Sequence, residues 1–174
     1  MRFGWAGLSD DEGSLGTGAS VGAGVILPLA RRFAAQIAYD RHTHRRDFNN
    51  AAPPGISSAG GGFTGTEQLV TAKALIFFRR DKAFHPYAGG GAGFLDSERV
   101  SEFPNYVSPP GGGIVSAPPD VFRYHTTEFA LGFACGFDAR VSKQFSILGD
   151  LSLDLSNPSA LSSARLTAGG AWNF

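Results

Sequence analysis

Several groups of residues have types and spacings that could do chemistry. His42 and His44 flank Thr43, with Arg41 before them and Arg45-Arg46 after. On a strand that alternation puts both imidazoles on one face, as two metal ligands would stand. A third ligand is not evident, although His125 belongs to a neighbouring segment, so the pair reads as part of a solvated basic rim. Arg41, Arg45 and Arg46 carry planar guanidinium groups, which take phosphate by two parallel hydrogen bonds. His125 and Thr127 share a strand face close to Glu128, the ingredients of a base-activated nucleophile. Threonine is a poor substitute for serine there, and no serine stands two residues from any histidine. Asp150 and Asp154 also share a face. At a strand rise of roughly 3.3 Å per residue they are more than about 10 Å apart, too far for a general acid/base pair. The Gly89–Gly93 run lacks the following helix that a phosphate loop needs, because the chain continues as a strand with Asp96 and Glu98.

The elements that must position these residues are strands. Phe145, Ile147, Gly149, Leu151, Leu153 and Leu155 alternate with Ser146, Leu148, Asp150, Ser152, Asp154 and Ser156. Phe129, Leu131, Phe133, Cys135 and Phe137 alternate with Glu128, Ala130, Gly132, Ala134, Gly136 and Asp138. Only period two sorts residues this way, and only a strand has it. The rule extends to Phe33, Ala35, Ile37 and Tyr39 against Ala34, Gln36, Ala38 and Asp40. It extends also to Val70–Phe78, with Lys73 on the polar side, and to Ala164–Phe174, with Arg165 on the polar side. Eight strands are predicted near 1–8, 15–29, 33–48, 66–80, 84–100, 121–141, 144–156 and 161–174. Short turns fall at Pro28–Arg32, Arg80–Ala83 and Val141–Gln144. Long loops are predicted at Asn49–Gly65 and Ser101–Asp120, where proline pairs and glycine triplets cluster. One domain, residues 1–174, is expected.

Composition agrees. The 174 residues include 24 Gly and 15 Phe, a mixture that weakens helices and favours strands. Fifteen basic and fifteen acidic residues leave no net charge, so nucleic-acid binding is not expected. Cys135 is the single cysteine and cannot form an internal disulfide. Met1–Trp5 lacks the apolar stretch of a signal peptide. An exported form of this protein is therefore expected to start upstream of Met1.

An even number of strands can close into a barrel and leave no unpaired edge, as lipid requires. The polar face carries Asp40, Lys73, Glu128, Asp138, Asp150, Asp154 and Arg165 among many small residues. Such a face suits a narrow interior in which charges pair across strands. The opposite face is Leu, Val, Ile, Phe and Ala, which suits lipid. A soluble, lipocalin-like ligand-binding barrel would invert that arrangement. Phe33, Phe78, Phe84, Phe145, Trp172 and Phe174 stand where one aromatic girdle would be, and Tyr39, Phe48, Phe94, Phe122 and Tyr124 where the other would be. The fold class expected is all-β: a closed up-and-down antiparallel transmembrane β-barrel of eight strands.

Pro86-Tyr87-Ala88-Gly89-Gly90-Gly91-Ala92-Gly93-Phe94 resembles a characteristic strand of the OmpA-like outer-membrane β-barrel superfamily. The ending Leu166-Thr167-Ala168-Gly169-Gly170-Ala171-Trp172-Asn173-Phe174 resembles its last strand, and Gly132–Ser142 the strand and turn before its seventh. The resemblance implies an outer-membrane location in a Gram-negative-type bacterium. It also implies recognition of Trp172 and Phe174 by the barrel-assembly machinery. No peptidoglycan-binding domain follows the barrel, so a cell-wall tether is not implied. In that setting Arg41, Arg45 and Arg46 would meet lipopolysaccharide phosphates. The function implied is non-enzymatic, structural or adhesive, with a narrow and mostly blocked lumen and neither cofactor, metal nor catalytic residues. The alternative within such barrels is a lipid A-modifying enzyme built on His125 and Thr127.

Overall fold

The alternation becomes a closed sheet in the computed structural model, which describes residues 1–10, 13–50, 59–78, 83–107, 110–157 and 162–172. Eight strands follow one another: β1 (Arg2–Asp10), β2 (Gly13–Pro28), β3 (Phe33–Asn50), β4 (Ala59–Phe77), β5 (Phe84–Val107), β6 (Val115–Arg140), β7 (Phe145–Asn157) and β8 (Ser162–Trp172). Each pairs antiparallel with the next, and β1 pairs with β8 from Arg2↔Gly169 to Ser9↔Ser162, closing the barrel.

Two predicted loops are shorter than expected. The β3–β4 ladder runs on to Asn50↔Ala59, and Gly60, Gly61 and Gly62 are strand residues within it. The β5–β6 ladder runs on to Val107↔Val115, with one register shift between Phe103 and Asn105. Turn-forming composition did not end these strands, because each hairpin extends a ladder already formed below it. At the described part of the β5–β6 tip, Gly111, Gly112 and Gly113 have φ of 119°, 83° and 93°. Residues with a Cβ rarely adopt that left-handed region.

The faces sort as lipid requires. Val25, Ile37, Val70, Ile76, Leu131, Phe133, Leu151, Leu153 and Leu166 point outward and are exposed, whereas Gln36, Asp40, Lys73, Asp150, Asp154 and Arg165 point inward and are buried. A soluble ligand-binding barrel would show the opposite. At the short-turn end Phe33, Phe78, Phe84, Phe145 and Trp172 form an exposed aromatic row. At the hairpin end Tyr39, Phe94 and Phe129 mark the other, with Phe94 and Phe129 packed edge to face at 6.1 Å. Phe122 and Tyr124 do not belong to this girdle. They share the face of β6 that carries Glu128, and they stand above Phe129, where pairing with β7 begins. Phe174 and the side chain of Phe48 lie outside the described residues.

Candidate functional site: the polar lumen

The interior is layered. Nearest the short turns, Ala34, Leu75, Phe77 and Tyr87 pack together with Ile26 against them, and the Phe77 and Tyr87 rings lie 5.4 Å apart. Across the middle lies a charged cluster drawn from five strands. Arg2 on β1 donates to both oxygens of Asp40 on β3 at 3.1 Å. Arg165 on β8 reaches Asp40 with Nη1 at 2.8 Å and donates through Nη2 to Asp154 on β7. Lys73 Nζ on β4 stands 3.5 Å from Asp154 Oδ1. Beside them Tyr87 donates to Asp150 at 2.6 Å, and the Ser152 hydroxyl donates to Asp150 as well. The next layer is apolar again: Leu69, Leu95 and Ala130. Above it His42 pairs with Glu67, with Ser97 and Arg99 completing the group. Glu128 accepts from the Ser156 hydroxyl at 2.7 Å.

Inward glycines make the long pairings possible. Lys73, Gly91, Gly132 and Asp154 occupy one rung across β4–β7, so no side chain stands between the ammonium and the carboxylate. A Cβ on Gly132 would meet Lys73 Cε at 2.9 Å. Arg2, Gly22 and Asp40 form the same arrangement across β1–β3, and Tyr87, Gly136 and Asp150 across β5–β7. In these three rungs an inward glycine leaves room for the side chains on either side of it to meet. The inward glycines were visible in the sequence, but the register that sets Arg2 beside Asp40 and Tyr87 beside Asp150 was not, so Arg2 and Tyr87 were missed although Asp40 was already on the polar face.

The predicted lumen residues fall into separate groups. Lys73, Asp154 and Arg165 meet directly, Asp150 stands beside them, and Glu128 lies apart with Ser156. Asp138 sits near the short-turn end, 3.7 Å from His85 Nδ1, with its side chain 21% exposed. His42 and His44 are not on a solvated rim. Both point inward and are buried, at 1% and 4% exposure, because their parity on β3 is that of Asp40. Parity also divides the arginines: Arg41 and Arg45 face outward, whereas Arg46 shares the inward parity of His44 at the exposed end of the strand. Arg45 Nε holds Asp47 at 2.9 Å. On the outer surface the His125–Thr127 arrangement is not that of a nucleophile and base. Both donor groups converge on Asp96 Oδ1, His125 Nε2 at 2.9 Å and Thr127 Oγ1 at 2.8 Å, while Glu128 is on the opposite face. Trp172 is exposed at the end of β8.

A void of about 10 Å3 lined by His42, Leu69, Leu95, Ala130, Asp154, Ser156 and Ser163 lies between the layers. That is space for about one water molecule.

A closed ring of eight antiparallel strands, apolar outside and charged within, defines a transmembrane β-barrel of the outer-membrane type. The solved structure of Neisserial surface protein A is similar to this chain, with a TM-score of 0.63, 17% identity, and coverage of 99% of this chain and 94% of that one. The attachment invasion locus protein Ail of Yersinia pestis is similar with a TM-score of 0.50 and 14% identity, covering 99% and 95%. The fold is thus that of eight-stranded outer-membrane barrels, as the OmpA-like motifs imply. No family profile matches the sequence, and no curated protein matches it.

Proposed function

We propose that this protein is a non-enzymatic outer-membrane barrel that presents its β3–β4 and β5–β6 hairpins to the cell exterior, in a structural or adhesive role, with a lumen closed to solutes. The observation that carries this reading is the charged cluster from Arg2, Asp40, Lys73, Asp154 and Arg165, which crosses the barrel between two apolar layers. The short turns lie in the periplasm and the long hairpins outside, as in barrels of this type. An adhesive role fits the β5–β6 hairpin, whose ladder continues about a dozen residues beyond the Phe94–Phe129 girdle pair. The name of the similar Yersinia protein refers to attachment, which supports the same reading. Trp172 and Phe174 serve barrel assembly, and Arg41, Arg45 and Arg46 meet lipopolysaccharide phosphates at the outer rim. Two measurements test the proposal. Purified protein in planar bilayers gives small or no conductance, and large, steady porin-like currents refute the closed lumen. Displayed on a non-adherent bacterium, the intact barrel confers binding to host cells or matrix. Replacing residues 104–117 by a short turn abolishes that binding. Equal adhesion by both forms removes the hairpin from the function.

A further inference from the structure

The outer face of β2–β5 carries a groove of about 480 Å3 at the hairpin end. Threonine hydroxyls from three strands, Thr17, Thr43, Thr64 and Thr66, stand beside the Arg45 guanidinium and the Glu98 carboxylate. Gly18 and Gly65 leave its floor without side chains, and His44 also lines it. The His44 ring itself points into the lumen, where it stacks on Phe63 at 5.2 Å, and takes no part in the groove.

Position selects the ligand. Tyr39, Val70 and Phe94 are register partners and form the last apolar outward row. Thr43, Thr66 and Glu98 are register partners too, four residues further out on the same strands. Four residues are about 13 Å of strand, or about 10 Å along the membrane normal at a tilt of about 40°. The groove therefore opens at the depth of phosphate and sugar headgroups rather than of acyl chains. Its volume lies in the range of small-molecule sites, about 300–1,000 Å3. We infer that this groove is a binding site for a phosphorylated saccharide: the threonine hydroxyls and Glu98 hydrogen-bond sugar hydroxyls, and Arg45 takes a phosphate.

This inference rests on the outer-membrane reading above. The ligand's source is either the diglucosamine phosphate headgroup of lipopolysaccharide in the same leaflet or a free phosphorylated saccharide. The protein, refolded in zwitterionic micelles with 13C-methyl threonine, is titrated with lipopolysaccharide and, separately, with acyl-free diglucosamine bisphosphate. Saturable shifts at the methyls of Thr43, Thr64 and Thr66 are expected. Shifts with lipopolysaccharide that the free disaccharide competes away assign the groove to the lipid headgroup, and shifts with the free disaccharide alone assign it to a soluble saccharide. The variant Thr43→Ala/Thr66→Ala/Glu98→Gln, whose changes all face outward, weakens binding at least about tenfold. Its fold is checked by heat-modifiable migration on gels. The variant Arg41→Ala/Arg46→Ala changes only arginines outside the groove. If it abolishes lipopolysaccharide binding while no threonine methyl shifts, the arginine-rim reading stands and the groove falls. If the threonine methyls shift and the arginine variant binds normally, the groove stands and the rim reading falls. No methyl shift with either probe, or wild-type affinity in the triple variant, overturns the inference.

Discussion

Replacing Arg165 by methionine keeps much of the side-chain volume and removes one charge from the centre of the lumen. Arg165 holds Asp40 at 2.8 Å and also binds Asp154. After the change Asp40 keeps Arg2 at 3.1 Å, and Asp154 keeps only Lys73 at 3.5 Å. Among Arg2, Asp40, Lys73, Asp150, Asp154 and Arg165 the signs balance three to three, and the variant leaves three carboxylates facing two cations. Breaking a buried pair from one side costs about 3–5 kcal/mol. Because both acids retain a cation, the lower part of that range is expected. Lys73→Met costs less, since Asp154 keeps the nearer Arg165. The double variant leaves Asp154 without a cation, so its loss exceeds the sum of the single losses, with a coupling of about 0.5–3 kcal/mol. Adding Asp154→Asn to Arg165→Met recovers part of the loss, because it removes the acid left in excess. The assay is equilibrium denaturant unfolding in lipid vesicles, followed by the fluorescence of Trp5 and Trp172 and by heat-modifiable migration. Single variants within about 0.5 kcal/mol of wild type, or strictly additive losses, refute the claim that this cluster is a paired network.

Three further outcomes follow from the same geometry. A Cβ at Gly136 would stand 2.2 Å from the Gly149 backbone oxygen and 2.8 Å from the Tyr87 hydroxyl. Gly136→Ala therefore strains the β6–β7 pairing, displaces the Tyr87–Asp150 bond and destabilises the barrel by about 1–3 kcal/mol; a loss much smaller in the Tyr87→Phe background separates the bond from the backbone strain, and wild-type stability refutes both. Cys135 is exposed on the outward face between Phe133 and Phe137. A fluorophore on it in proteoliposomes should be quenched by bromolipid and spared by iodide, and the reverse pattern contradicts the lipid-facing assignment. Trp172→Asp, expressed with a signal peptide, should leave unfolded chains in the periplasm, and normal amounts of heat-modifiable barrel in the outer membrane would remove Trp172 from the assembly signal.

The sequence alone determined the strands and their faces, because period two is a local property of the chain. Leu151 and Leu153 had to share a side opposite Asp150 and Asp154 whatever lay around them. It also determined that Lys73 and Arg165 are on the charged face, since parity runs unbroken along β4 and β8. Parity was enough to place His42 and His44 with Asp40, yet the neighbouring arginines suggested a solvated rim, and the histidines lie inside. Only the tertiary structure decided which charges meet. Arg2 and Asp40 are 38 positions apart and Lys73 and Asp154 are 81, and nothing local relates them. Their meeting depends on ring closure, which brings β1 beside β8. It depends also on the register that aligns Gly91 and Gly132 into one open rung. The lengths of the hairpins were decided in the same way. Gly60–Gly62 reads as a loop by composition but pairs as strand, because a ladder already in register extends past residues that would not start one.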